Sequence, residues 1–339
     1  MAGVSIGTVD RVIHHRGQVS PETREKILKI VKKANFRPDI LASALASKKK
    51  FRFTILIPDY QEDSSFWKAP LTGMQKAVSE ISHFGIEVKY IHFDQFESAS
   101  FQKYARKVIQ SRPDGLLIAP VQYTQSVELV KSCDENHIPY IFINSNIEEL
   151  DYLSFIGQDS KQSGYLAAKL MSLGFMTYSE ILVISISKQI ANHRHILKRN
   201  KGFEEYYADH PEIKVKIHTI NIENTSQEFV NQTLGNAFRK FRNISGIFVP
   251  SSRVFKVASY LSRRKTKIRL IGYDLIEENI PFLNNGTIDF LISQKPVEQG
   301  YQGIMALLSH LVLKKECKKN IYLPIDIITK ENLNYYLEY

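Results

Sequence analysis

Apolar positions in the first fifty residues repeat with a helical period. Val9, Val12 and Ile13 share one face of a segment opened by Ser5, a good N-cap residue. His15-Arg16-Gly17 ends that helix. Ser20-Pro21 opens a second, since proline is preorganised at the first helical position, and Ile27, Ile30, Val31 and Ala34 form its apolar stripe. Asn35-Phe36-Arg37-Pro38 breaks it, and the run from Asp39 to Ser47 can form a short third helix before Lys48-Lys49-Lys50. From Phe51 the pattern changes. Apolar strand-like runs occur at 53–58, 88–93, 115–120, 140–144, 181–186, 215–220, 246–250, 268–273, 289–293 and 321–328. Helical periodicity fills most of the intervals, as at 71–81, 101–109 and 164–173. Buried strands alternating with helices predict parallel sheets covered on both faces. The number of strands fits two doubly wound lobes better than one.

Charge sharpens the division. The first 50 residues hold eleven Lys/Arg against four Asp/Glu, so most of the net charge of +10 sits on a small module in front of a near-neutral body. That is the electrostatic footprint of nucleic-acid binding. Cys133 and Cys317 stand far apart and read as free thiols of a reducing compartment rather than a disulfide framework or a zinc site. No apolar run is long enough to span a membrane, and the chain reads as cytoplasmic.

The motifs make the module specific. Ala2-Gly3-Val4-Ser5, Thr8-Val9, Arg11-Val12-Ile13, then Val19-Ser20-Pro21-Glu22-Thr23-Arg24 and Asn35-Phe36-Arg37-Pro38-Asp39 occur in order, and together they resemble the headpiece of the LacI/GalR family of transcriptional regulators. The resemblance implies a helix-turn-helix over residues 1–37 whose recognition helix begins at Ser5. Ile6, Gly7 and Arg11 would face base edges, Arg11 being suited to guanine. Ser5, Thr8, Thr23 and Arg24 would hold phosphates. Residues 38–50 would form the hinge helix and linker, with Leu45 as a wedge in the minor groove and Ala42, Ala44 and Ala46 allowing close approach of a dimer mate. Two departures accompany the match. The sequence opens where the family would already be leaving its first helix, so a truncated headpiece with poor operator affinity is expected. Asp10 stands where a phosphate-binding serine is common.

Residues 51–339 resemble the two-lobed, periplasmic-binding-protein type I sensor domain of the same family and of sugar-binding proteins. The motifs are Ile57-Pro58-Asp59, Ser64-Ser65-Phe66-Trp67, Pro113-Asp114-Gly115, Ile156-Gly157-Gln158-Asp159, Arg199-Asn200-Lys201-Gly202-Phe203, Ile271-Gly272-Tyr273-Asp274 and Ser293-Gln294-Lys295-Pro296. The expected lobes are about 51–157 with 294–320, and about 158–293 with 321–339. The implied effector site comprises Ser64, Phe66, Trp67, Asn144, Asp159, Arg199, Ser251, Asp274 and Gln294. Flat aromatic faces suit the C–H side of a sugar ring, carboxylates accept hydroxyl hydrogen bonds, and a guanidinium donates several. Asn144-Ser145 replaces the Asp-Arg pair of ribose-type binders, and Ser64 and Ser251 stand at common asparagine positions. A larger sugar, a sugar acid or a purine therefore stays open.

No P-loop, G-x-S-x-G, H-E-x-x-H or dinucleotide fingerprint is present. His193 and His195 lie near the expected ligand arginine, but as an isolated pair they read as incidental. The sequence thus points to a non-enzymatic homodimeric repressor with no cofactor and no metal. It would bind a pseudo-palindromic operator with an affinity set by a small-molecule effector, most simply a sugar. A stand-alone cytoplasmic sugar-binding protein is the alternative.

Overall fold

The computed structural model describes residues 2–13, 17, 19–33, 50–60, 65–173, 178–264 and 267–337. The chain forms two compact units, Met1–Lys49 and Lys50–Tyr339.

The first unit contains α1 (Ile6–Ile13) and α2 (Pro21–Lys33). Each start is fixed by the same local chemistry. Ser5 Oγ accepts the Thr8 backbone N–H at 3.2 Å, and Ser20 Oγ accepts that of Thr23 at 3.4 Å. Both hydroxyls thereby satisfy donors that a helix N-terminus leaves open. The helices touch, with Val12 and Ile27 buried. The hinge segment expected over 39–47, with Leu45, lies outside the described residues.

In the second unit the apolar runs become β1 (Phe51–Pro58), β2 (Ile86–Phe93), β3 (Gly115–Ile118), β4 (Tyr140–Ile143), β5 (Ser154–Gly157) and β11 (Asn320–Tyr322) of one sheet, in the order β11-β5-β4-β3-β1-β2. All five pairings in it are parallel. The second sheet orders β12-β10-β9-β8-β6-β7, from β6 (Ser179–Ile186), β7 (Val215–Ile222), β8 (Ile244–Phe248), β9 (Arg269–Tyr273), β10 (Phe290–Ser293) and β12 (Asp326–Ile328). It is parallel except that β12 runs antiparallel to β10. Strands such as β3 and β4 are buried at every residue, as parallel strands covered on both faces must be. The fold is the expected pair of doubly wound lobes.

Helices cover each sheet. In the first lobe α3 (Lys68–Glu80), α4 (Ser98–Ser111), α5 (Tyr123–Glu135) and α11 (Pro296–Leu307) do so. In the second the helices are α6 (Ser160–Ser172), α7 (Arg194–Asp209), α8 (Gln227–Lys240), α9 (Val254–Leu261) and α10 (Ile280–Asn284), followed by α12 (Asn334–Leu337) near the end of the chain. One tight helix pair recurs in both lobes. A Cβ at Gly73 or Gly300 would overlap a backbone carbonyl across the α3–α11 crossing, and one at Gly164 or Gly202 would do so across α6–α7.

The chain passes between lobes at three places: after β5, after β10 and between β11 and β12. The third corrects two expectations. The run 321–328 is not one strand, and the lobe boundary does not fall at residue 320. Ile321 and Tyr322 pair with Ile156 and Gly157 in the first sheet, and the Leu323 N–H still bonds Gly157 O at 2.8 Å. Pro324 then supplies no N–H, so the ladder ends and the chain enters the second sheet at Asp326. Strand β5 is only four residues long, too short to stand out as an apolar run.

Candidate functional site

The carboxyl ends of the central strands of both sheets face a cleft between the lobes, the place where open α/β sheets bind ligands. The space within it, counted out through the open mouth and including solvent, is about 490 Å³. Phe66, Trp67, Asn144, Arg199, Ser251, Asp274 and Gln294 all line it, together with Gln95, His193, His195 and Arg253.

Local structure aims each group. Phe66 and Trp67 sit on a 3-10 turn leading into α3, their rings edge to face at 5.1 Å. Asn144 follows β4 and Asp274 follows β9, both in the left-handed region, with φ 67° and 64°. Asn and Asp tolerate that conformation best among residues with a Cβ, and such positions gather at functional sites. Arg199 comes from α7 and is 0% exposed. The close approach of Gly164 to its carbonyl sets the depth of that helix. Arg199 Nη1 donates to Pro250 O at 2.8 Å, and the guanidinium lies 3.7 Å from the Tyr273 ring centre. The Tyr273 hydroxyl is itself tied to Ser163 at 2.9 Å. Arg199 Nε and Nη2 have no hydrogen-bond partner.

Gln294 joins the two walls. Its backbone N–H and side-chain Nε2 donate to the two Asp274 carboxylate oxygens at 3.3 and 2.7 Å, and its Oε1 accepts from Asn144 Nδ2 at 3.4 Å. Around the cleft the lobes are clasped. Ser65 Oγ donates to Glu278 at 2.6 Å, Gln189 Nε2 to Phe96 O at 2.8 Å, Asn192 Nδ2 to Gln122 Oε1 at 3.1 Å, and Lys198 meets Glu148 at 2.6 Å.

Burial governs the charge states. It pushes the Asp274 carboxyl up to about 6, against the pull of Arg199 and of the Gln294 hydrogen bonds. Burial and Arg253 lower the His193 imidazole to about 4, and burial and then Arg199 hold His195 well below the usual histidine value. Both rings are therefore neutral near pH 7. A carboxyl whose folded value is raised holds its proton longer in the folded than in the unfolded chain. Its ionisation therefore lowers stability as pH rises from about 4 to about 6. The buried neutral His193 acts in the opposite sense, losing stability as pH falls from about 6.5 to about 4. Asp274→Asn isolates the first effect: the variant should match wild type at pH 4 and gain about 2 kcal/mol on it by pH 7. Urea midpoints across that range measure this, and a difference that does not depend on pH would refute the buried-carboxylate assignment.

Two expected site residues are not gathered here. Ser64 lies outside the described residues. Asp159 is exposed and caps α6, accepting the Gln162 N–H at 3.0 Å. It borders a separate polar recess with Lys161, Lys198 and Tyr322 rather than the cleft. In this structure the carboxylate just past that strand end serves a helix N-terminus. Conversely, His193 and His195, which read as incidental, form part of the cleft wall. Their spacing on either side of the α7 start was the available signal. Gln95 carried none. Among the described residues no three His, Cys, Asp or Glu side chains are placed to hold a metal ion, and no helix is long and apolar enough to cross a membrane.

In the first unit Gly7 and Arg11 are exposed and four residues apart on α1, hence on one face. A Cβ at Gly7 would meet only Ser5 Oγ, at 3.9 Å, so no internal packing demands glycine there. Ile6 begins the helix, but its side chain falls outside the described residues. Ser5 and Thr8 exchange a hydroxyl contact at 3.0 Å, Ser20 and Thr23 one at 2.8 Å, and Arg24 is exposed beside the second pair.

The cleft and its lobes define the class: the family profile described as "Periplasmic binding protein domain" matches residues 54–316. That described as "Bacterial regulatory proteins, lacI family" matches residues 1–39. The chain belongs to the lacI family and is a DNA-binding transcriptional regulator. A structure of a LacI transcriptional regulator from Bacteroides fragilis superposes with a TM-score of 0.76 at 33% identity, covering 85% of this chain and 100% of that one. The ribose operon repressor of Lactococcus lactis is 24% identical over 98% of this chain and 95% of its own length. Catabolite control protein A of Staphylococcus epidermidis is 25% identical over 53% of this chain and 52% of its own. The glucose-galactose binding protein GanP of Geobacillus stearothermophilus shares the fold, with a TM-score of 0.74 at 20% identity over 84% of this chain and 99% of that one.

Proposed function

We propose that this regulator is a cytoplasmic homodimeric repressor that binds a pseudo-palindromic operator and releases or grips it according to a sugar-class effector in the cleft. The observation that carries the effector reading is the cleft itself. Two aromatic rings, Phe66 and Trp67, share its lining with a set of polar groups, Asn144, Arg199, Asp274 and Gln294, drawn from both lobes and the crossing between them. A ligand touching both walls has a different affinity for open and closed lobes, which is what coupling to a distant DNA site requires. The relatives named as sugar-operon repressors support the same reading. The headpiece match favours it over a stand-alone sugar binder.

A thermal-shift screen against monosaccharides, sugar acids, sugar phosphates and purines tests the effector, followed by anisotropy titration of operator DNA with and without each hit. A hit from the sugar classes that also changes operator affinity is the expected result. A purine hit alone, or a sugar hit without effect on DNA, would refute the proposal. On the DNA side, Arg11→Ala should weaken specific operator binding by about 1–3 kcal/mol and relax preference at one base pair. Arg24→Ala should weaken all sequences alike and reduce the salt slope by about one. Indistinguishable behaviour of the two variants would contradict the division into base-reading and phosphate-holding residues.

A further inference from the structure

The lining of the cleft is unbalanced in both charge and hydrogen-bonding sense. Arg199 is fully buried, and Asp274 is the carboxylate near enough to act on it electrostatically. Yet the two form no ion pair, and the Asp274 oxygens accept from Gln294 instead. The Arg199 guanidinium keeps one carbonyl, Pro250 O, and one ring face, Tyr273. Buried charges are normally paired, since taking a charge out of water without a counter-ion is strongly disfavoured. The wall of the other lobe supplies no charge of opposite sign at Asn144, which presents an amide.

The unpartnered buried polar atoms of the described lining point the same way. They are Arg199 Nε, Arg199 Nη2, His195 Nδ1 and Ser251 Oγ. Each can donate, the histidine in one tautomer, and none is an acceptor alone. Nε and Nη2 form one edge of the guanidinium, the planar pair of parallel donors that a carboxylate accepts with both oxygens.

From this we propose that the effector is a sugar acid, an aldonate or uronate whose carboxylate docks on the Nε/Nη2 edge of Arg199 as its missing counter-ion. The inference rests on the sugar-class reading above and narrows it. Phe66 and Trp67 remain for the carbon face of the ligand, and Asn144 and Gln294 for its hydroxyls.

Calorimetry on the full chain with matched sets decides it: D-glucose, D-gluconate, D-glucuronate and glucose 6-phosphate, with the galactose and ribose counterparts. In at least one set the acid should bind at least 100-fold more tightly than its neutral parent. Arg199→Gln should abolish that preference, and Arg199→Lys should keep part of it. Melting curves of both variants report folding, and the comparison among ligands on wild type stands without them. A neutral sugar or sugar phosphate binding as tightly as the best acid would overturn the carboxylate inference and leave a sugar effector intact. Failure of all three classes would overturn both.

Discussion

Arg199→Met should make the unliganded protein more stable and ligand binding much weaker, opposite signs from one substitution. The stabilising part follows from removing a fully buried charge without an ion-pair partner and filling the space with an apolar chain of similar length. Replacing buried charge by well-packed apolar groups is commonly neutral or stabilising by about 1–4 kcal/mol. The loss of the bond to Pro250 O offsets about 1 kcal/mol of that. The cognate effector should lose about 2–5 kcal/mol, the range for truncating one partner of a buried charged hydrogen bond. Thermal unfolding without ligand and calorimetry with it measure the two halves. A destabilised variant would mean that Arg199 is a structural support. Unchanged affinity would mean that the cleft does not use it.

The second large effect belongs to packing. Gly202→Val should destabilise the second unit by about 3 kcal/mol or more, because the added Cβ would overlap Lys161 O across the α6–α7 crossing. Flexible side chains can yield, but here the obstacle is backbone, so the helices must part. Since α7 carries Arg199 three residues earlier, effector affinity should fall as well, even though residue 202 lines no part of the cleft. Gly235→Ala in α8 is the control: its new methyl would meet only Tyr260 Oη at 3.8 Å. It should stabilise by about 0.5–1 kcal/mol through helix propensity. Urea titrations of both variants check the contrast. Equal responses would show that the crossing is not as close as described.

These glycines illustrate what could be read from the chain and what could not. Apolar runs such as 140–144 and 181–186 identified strands because parallel strands are buried on both faces and must be continuously apolar. The two-lobe architecture followed from their number and spacing. The partnership of Gly73 with Gly300, or Gly164 with Gly202, is a tertiary fact with no local signature. The same holds for the amide chain Asn144–Gln294–Asp274, which joins residues distant in sequence. Asp159 and Asp274 look alike locally, each a carboxylate just beyond an apolar strand. One is an exposed helix cap and the other is buried beside Arg199, a difference set by which strand is central. In the headpiece, Ser5 and Ser20-Pro21 announced both helix starts, because capping is local chemistry. Leu45 and Ser64 are not among the described residues.

The late strand β11 bears on how the chain is made. It completes the edge of the first sheet by pairing Asn320 with Phe155, yet it is translated after β6 to β10 of the second lobe. Helix α11, which grips α3, also emerges late. A ribosome that has delivered the eight strands and helices from β1 to β5 has therefore delivered a sheet with an open edge, β5, and an uncovered face. Domains fold as units only once their last element is out, and unpaired edges are what chaperones and aggregates recognise. Because β12 of the second sheet emerges later still, neither lobe has all its strands until nearly the whole chain is made, and the nascent chain should depend on holding factors until then.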